Sequence, residues 1–214
     1  MILFSVCCKL SRFRRVGCGP QIRYIQLVGN MITHQSVIFV GFVLPSNPFT
    51  YLNQSMIVKP TIYLETSIVS YLTARLSKNL VTAAHQQLTQ EWWQNQRDKF
   101  ALFTSQLVIQ EASRGDQSAA QRRLEILKDI PLLEMNYPAI VLAREWVDNQ
   151  LIPKKATEDA LHIAIATLNG MNYLLTWNCK HIANATMRHK REVFCRLKGH
   201  ESPVICTPEE LIEE

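Results

Sequence analysis

Three carboxylates and an amide, Glu65, Glu111, Asp159 and Asn178, stand at positions from which they could act together. Glu65 follows the apolar run Ile62-Tyr63-Leu64, and Asn178 follows Tyr173-Leu174-Leu175-Thr176-Trp177. Asp159 lies in the first turn of a strongly apolar helical segment, and Glu111 lies on a short helix that opens after Thr104-Ser105. Open α/β sheets bind their ligands outside the carboxyl ends of the strands, so the four residues fall near one edge. An oxygen-only set of this kind suits Mg2+ or Mn2+ and not zinc. One or two such ions would activate a water and neutralise charge developing on a phosphodiester. Thr66, Ser67 and Thr176 offer hydroxyls, and Arg114, Lys154 and Lys155 offer cations, for phosphate groups. Glu158 and His162 flank Asp159, the first beside it and the second one helical turn on, and read as supports for the ligands.

Each of these residues also has a plainer use. Asp159 can simply complement the helix dipole. Glu111 can pair with Arg114 at helical spacing, Glu65 can be solvated in a strand-to-helix turn, and Asn178 can close a turn. Trp92, Trp93, Trp146 and Trp177 can stack on bases, but three of the four lie in amphipathic helices, where core or dimer contacts are the usual role. The run Arg188-His189-Lys190-Arg191 is the strongest local basic patch. It can hold a phosphate backbone or form a solvated helix face.

The elements that must position these groups are legible from Met56 onward. Strands are expected at Thr61–Leu64, Phe100–Phe103, Pro131–Met135, Tyr173–Trp177 and Pro203–Cys206. Helices are expected between them: one capped by Thr66 or Ser67, then Thr82–Arg97, Gln106–Ser113, Ala119–Lys128 and a helix opened by Pro138. The central helix, Ala160–Leu168, is apolar on nearly every face, which predicts burial all round. Thr157 is its expected cap and Gly170 its stop. A further helix is expected over Ala183–Lys198, and Thr207-Pro208-Glu209-Glu210 has the form of a capping box. Short apolar strands alternating with helices predict a three-layer α/β/α fold with a central parallel sheet of four to five strands. No glycine-rich phosphate loop follows any strand, which argues against dinucleotide and Walker-type nucleotide binding and against a phosphotransfer domain.

Charge is distributed unevenly. The net charge of +5 comes from residues 1–55, which hold five basic residues and no acid, whereas residues 56–214 are neutral. A neutral domain has no global field that draws it to nucleic acid, so such contact must be local. Residues 1–55 also lack helical or strand periodicity, and the apolar run Val37–Leu44 is far shorter than a membrane span. They are expected to be an unstructured or spurious extension with Met56 as the true start; a targeting leader and a basic arm are the alternatives. Cys7, Cys8, Cys18, Cys179, Cys195 and Cys206 form no Cys-x-x-Cys pair and read as reduced thiols of a cytoplasmic protein.

Four segments carry a resemblance. Ile62-Tyr63-Leu64-Glu65-Thr66-Ser67, Ser105 through Glu111, Glu158-Asp159-Ala160-Leu161-His162-Ile163-Ala164, and Leu175-Thr176-Trp177-Asn178 resemble the four ordered motifs of the PIN-domain family. The branch they most resemble is the VapC-like toxin ribonucleases of type II toxin–antitoxin pairs. The resemblance implies a Mg2+- or Mn2+-dependent endoribonuclease acting on single-stranded RNA, a homodimer, and a cognate antitoxin. It places metal ligands at Glu65, Glu111 and Asp159, with Asn178 orienting the ion or the water. Two positions depart from the family pattern: Glu65 and Asn178 both stand where Asp is usual. Glu158, Asp116 or His181 would have to compensate for the missing charge at Asn178. If nothing does, the expected role is a PIN-like module that binds RNA or a protein partner without cleaving.

Overall fold

Strand β1 (Thr61–Leu64) runs down the middle of the sheet, with Ile62, Tyr63 and Leu64 wholly buried. The computed structural model describes residues 58–212; the expectations for residues 1–55 lie outside the described residues. On one side of β1 stand β2 (Ala101–Ser105) and then β3 (Leu132–Leu133). On the other stand β4 (Tyr173–Leu175) and then β5 (Val204–Cys206), giving the order β3-β2-β1-β4-β5. All pairings are parallel. Tyr63 lies opposite Leu174, which lies opposite Ile205.

Side chains alternate across a strand, so each strand feeds two cores. Tyr63, Leu174 and Ile205 join one core with α3 (Gln106–Ala112), α5 (Tyr137–Asp148) and α6 (Thr157–Leu168). Ile62, Leu64, Leu175 and Cys206 join the other with Ile68 of α1 (Thr66–Thr73) and Trp92 of α2 (Leu80–Asn95). The remaining α-helices among the described residues are α4 (Gln117–Leu127) and α7 (Ala185–Leu197). Residues buried on both sheet faces require these near-continuous apolar strands. The α6 segment from His162 through Thr167 is buried without a break, as its apolar composition requires. Trp92 and Trp146 are also fully buried, so neither is placed to stack on a base.

Local chemistry sets the ends of the elements. Glu65, not Thr66 or Ser67, is the N-cap of α1 and accepts from the Ser67 backbone N–H. Thr157 falls inside α6 because a 3-10 turn, Lys154–Ala156, runs straight into it; its hydroxyl bonds back to the Lys154 carbonyl. The third strand is only two residues long, since it pairs with the last residues of β2 at the sheet edge. Thr207 and Glu210 form the expected capping box, though on a 3-10 turn, Pro208–Leu211.

Gly170 closes α6 with φ +63° and open space around it. Gly170→Ala would meet no neighbour, so its cost is that of the left-handed backbone alone. It is expected to lower unfolding free energy by about 1 kcal/mol in a denaturant titration. No helix among the described residues is long and apolar enough to cross a membrane.

Candidate active site

After β1 the chain moves to one side through β2 and β3, then returns to the other side at β4. The carboxyl ends of β1 and β4 therefore flank a topological switch point, where open sheets form a crevice. Glu65 sits at the end of β1, its backbone N–H on the Leu175 carbonyl at 3.1 Å. Its side chain is buried, and Oε2 accepts from Ser67 Oγ, from the Ser67 backbone N–H at 3.1 Å and from Thr176 Oγ1 at 2.7 Å. Those hydroxyls in turn accept from backbone: Ser67 Oγ from Trp177 N–H at 2.8 Å and Thr176 Oγ1 from Asn178 N–H at 2.9 Å. Two chains of aligned dipoles thus end on one carboxylate, tying β1 to the segment after β4.

Glu111 reaches the same corner from α3, a helix that starts where β2 ends and is capped by Ser105. Its Oε2 accepts from Thr66 Oγ1 and lies 3.1 Å from His162 Nε2. The other ring nitrogen, Nδ1, is 2.8 Å from the Tyr63 hydroxyl, which is itself 2.7 Å from Ser105 Oγ. One ligand atom each from Glu65, Glu111 and His162 all lie within 4.8 Å of one another. Asp159 stays outside that set and is paired with Asn178, whose Nδ2 donates to Oδ1 at 2.8 Å. The Asn178 Oδ1 accepts from His181 N–H at 3.1 Å, which fixes the amide orientation.

The electrostatics follow from burial and crowding. Burial raises Asp159 above the usual carboxylate value, opposed by His181 and His162 and assisted by the negative charges of Glu65 and Glu111. Burial would also raise Glu111, but the His162 hydrogen bond and charge, with Thr66 and Arg114, take it below its ordinary value. For His162, burial favours the neutral ring, yet the Glu111 bond and the surrounding carboxylates outweigh it and raise the value. Burial likewise keeps Tyr63 a phenol.

A PIN-domain family model matches residues 62–180, more than half of the chain and the whole of this site. The chain belongs to the PIN-domain family. The family is one of nucleases. Two solved structures similar to the chain are Mycobacterium tuberculosis VapC20, described as a sarcin-ricin loop cleaving toxin, and Rickettsia felis VapBC2, solved with a DNA fragment from their promoter. The first has 16% identity and a TM-score of 0.45 over 58% of this chain and 95% of that one. The second has 14% identity and a TM-score of 0.40 over 69% and 98%. Likeness at this level says nothing about what the chain acts on. No curated protein matches it.

Within this PIN domain, the residues singled out from sequence divide into two groups. Glu65 with Ser67 and Thr176, and Glu111 with Thr66 and His162, form two neighbouring hydrogen-bonded groups, and Asn178 joins the first of them to Asp159. Arg114 and Glu158 instead pair with each other at 3.2 Å on the exposed surface, where an ion pair contributes little. Lys154 and Lys155 are exposed on the turn leading into α6. Asp116 caps α4. The basic run is split: Arg191 is buried, with its guanidinium on the His181 and Asn184 carbonyls, and Arg188 bonds the Ile205 carbonyl. Trp177 stacks on His85 at 4.0 Å between centroids and donates to Thr89 Oγ1, so its ring belongs to the packing against α2. Tyr63 and Ser105 were not singled out. The only sequence sign was a tyrosine on the inward face of a buried strand, whose hydroxyl needs a partner.

The donor chemistry fits a divalent cation. Burial, with the negative charges of Glu65 and Glu111 nearby, disfavours the charged form of Asp159, and a cation would offset both effects. Asn178→Asp would replace a hydrogen bond to Asp159 with a like-charge contact. Metal-free protein carrying it is expected to lose about 1 kcal/mol, a few degrees in Tm, whereas added Mn2+ should stabilise it more than it stabilises the native protein. Thermal denaturation with chelator and with Mn2+ measures both.

Proposed function

We propose that this PIN domain, carried by residues 56–214, is a divalent-metal-dependent endoribonuclease that cleaves single-stranded RNA and serves as the toxin of a toxin–antitoxin pair. One observation carries the reading: Glu65 and Glu111, from distant segments of the chain, come together at the β1/β4 switch point, with Asp159 held nearby through Asn178. Those three are the carboxylates that would hold Mg2+ or Mn2+. A divalent ion bound there supplies Lewis acidity toward a phosphodiester and an activated water. The chain's own groups hold the carboxylates in place: Ser67 and Thr176 on Glu65, Thr66 on Glu111, and Asn178 on Asp159. Lys154 and Lys155, exposed just before the helix that bears Asp159, supply local positive charge for a phosphate backbone. The motif resemblance carries the RNA and homodimer parts of the reading, and the cysteine spacing carries the cytoplasmic part. Leu76, Leu80 and Val81, exposed between α1 and α2 and at the start of α2, are an apolar surface that an antitoxin would cover.

A second reading is favoured by Asn178. Both polar ends of its amide are engaged within the protein and the usual negative charge is missing, which fits a module that binds RNA or protein without turnover. Labelled single-stranded RNA and matching DNA, incubated with the full chain in Mn2+ or chelator, separate the two. Cleavage of RNA that requires both the metal and Asp159, judged by Asp159→Asn, supports the nuclease. Folded protein that binds RNA but leaves it intact in Mn2+ would overturn it in favour of the binding module.

A further inference from the structure

We infer that His162 is itself a ligand of the ion, which makes the centre a mixed nitrogen–oxygen site that prefers Mn2+ to Mg2+; this rests on the metal-dependent reading above. His162 is almost wholly buried, and its ring is not free to turn. Nδ1 is held by the Tyr63 hydroxyl at 2.8 Å, and that hydroxyl is backed by Ser105 at 2.7 Å, so Nε2 is aimed at Glu111. Metal-bound histidines are typically anchored in this way through their second nitrogen, which fixes tautomer and ring plane. Without an ion Nε2–H donates to Glu111; a bound ion would take the place of that proton, and the network accepts the tautomer this needs, with Nδ1–H donating to Tyr63 and Tyr63 donating to Ser105.

The spacing agrees. Ligands about 2.1 Å from an ion are about 3.0 Å apart when adjacent and about 4.2 Å apart when opposite. The observed separation of Nε2 from Glu111 is 3.1 Å, and the three ligand atoms of Glu65, Glu111 and His162 span no more than 4.8 Å. The set therefore closes on an ion with shifts of tenths of an ångström. Asn178 explains why a nitrogen would be recruited. Its Nδ2 is committed to Asp159 and its Oδ1 to His181, and Asp159 stands outside the close set. The imidazole supplies the donor that the amide does not. Magnesium is a hard ion that keeps its waters, whereas first-row transition ions accept imidazole readily, so a histidine among the ligands shifts preference toward Mn2+.

Pulsed electron paramagnetic resonance on the full chain loaded with Mn2+ tests this directly. The expected spectrum shows nitrogen hyperfine coupling from a coordinated imidazole, absent in His162→Gln. In calorimetric titration the native chain should bind Mn2+ at least about tenfold more tightly than Mg2+, and His162→Gln should narrow that ratio. Tyr63→Phe, which keeps the ring but removes its anchor, should weaken Mn2+ binding by roughly 10–100-fold while retaining the nitrogen signal. Bound Mn2+ without nitrogen coupling in the native chain would overturn the inference, leaving His162 to orient Glu111 and the metal-dependent nuclease standing. That spectrum decides the matter even if His162→Gln does not fold. No Mn2+ binding by folded native protein would overturn both.

Discussion

Glu65→Gln is expected to fold as the native chain does and to lose metal-dependent RNA cleavage by at least about 100-fold, the upper end of what loss of a mere outer-shell partner costs. Glu65 Oε2 is the terminus of two dipole chains, Trp177 N–H to Ser67 and Asn178 N–H to Thr176. A glutamine oxygen can still accept all three bonds and still cap α1 through the Ser67 N–H. Only the charge disappears, which weakens charge-assisted bonds to neutral ones at about 1–2 kcal/mol. The effect on an ion is larger, since a neutral amide replaces one of few negative ligands in a crowded corner. Glu65→Ala would confuse the two effects, because it leaves the half-buried Ser67 and buried Thr176 donors without that acceptor. Cleavage under single-turnover conditions, alongside a thermal melt, measures both quantities. Native-level cleavage by folded Glu65→Gln would show that this carboxylate does not hold the ion.

How much of this was legible in the sequence depended on the distance over which each residue acts. Glu65, Glu111, Asp159 and Asn178 could be placed because Glu65 and Asn178 follow strands, Asp159 opens a helix and Glu111 lies on a short helix that starts where β2 ends, and the ends of parallel strands share one edge. What those residues bond could not be placed. Tyr63 meets Ser105 and His162 across separations of 42 and 99 residues, and Thr176 meets Glu65 across 111. No periodicity encodes such pairs. Thr66, Ser67 and Thr176 were read as phosphate contacts, Thr176 also as a group that positions Asn178; the fold turns the three hydroxyls onto carboxylates, and Thr176 Oγ1 also accepts from the Asn178 N–H. The length of β3 was overestimated for a related reason: Pro131 through Met135 looks like a strand locally, but only the end of β2 is available to pair with it. Arg114 pairs with Glu158 and not with Glu111, the plainer alternative for Glu111, since α3 and α6 come together at the site and bring a closer partner.

Arg191→Met is expected to destabilise the chain by about 2–3 kcal/mol, seen as a fall in Tm of roughly 5–10 °C. In sequence Arg191 closed a run that looked like a solvated basic face. In the fold α7 turns this one guanidinium inward, where Nη1 donates to the His181 carbonyl at 3.2 Å and Nη2 to the Asn184 carbonyl at 3.1 Å. Burial, with the nearby Arg188 charge, pulls its pKa down to about 10, so it remains charged at neutral pH. Hydrogen bonds to a charged donor contribute about 1.5–3 kcal/mol each, and relief of a buried charge offsets part of their loss. Methionine keeps the apolar stem and fills the space, so the loss reports on the carbonyls. Lysine would not rescue it, because a single ammonium lacks the planar fork that reaches both. The two carbonyls belong to the loop that starts at Asn178, where Asn178 also accepts from the Ile182 and Ala183 backbone. Loosening that loop should relax the hold of Asn178 on Asp159, so Mn2+ affinity is expected to fall by about tenfold, as for other outer supports of a metal ligand. A variant that melts like the native chain would show that Arg191 does not pin the loop. One that melts early but binds Mn2+ normally would show that the loop steadies the fold without setting the position of Asp159.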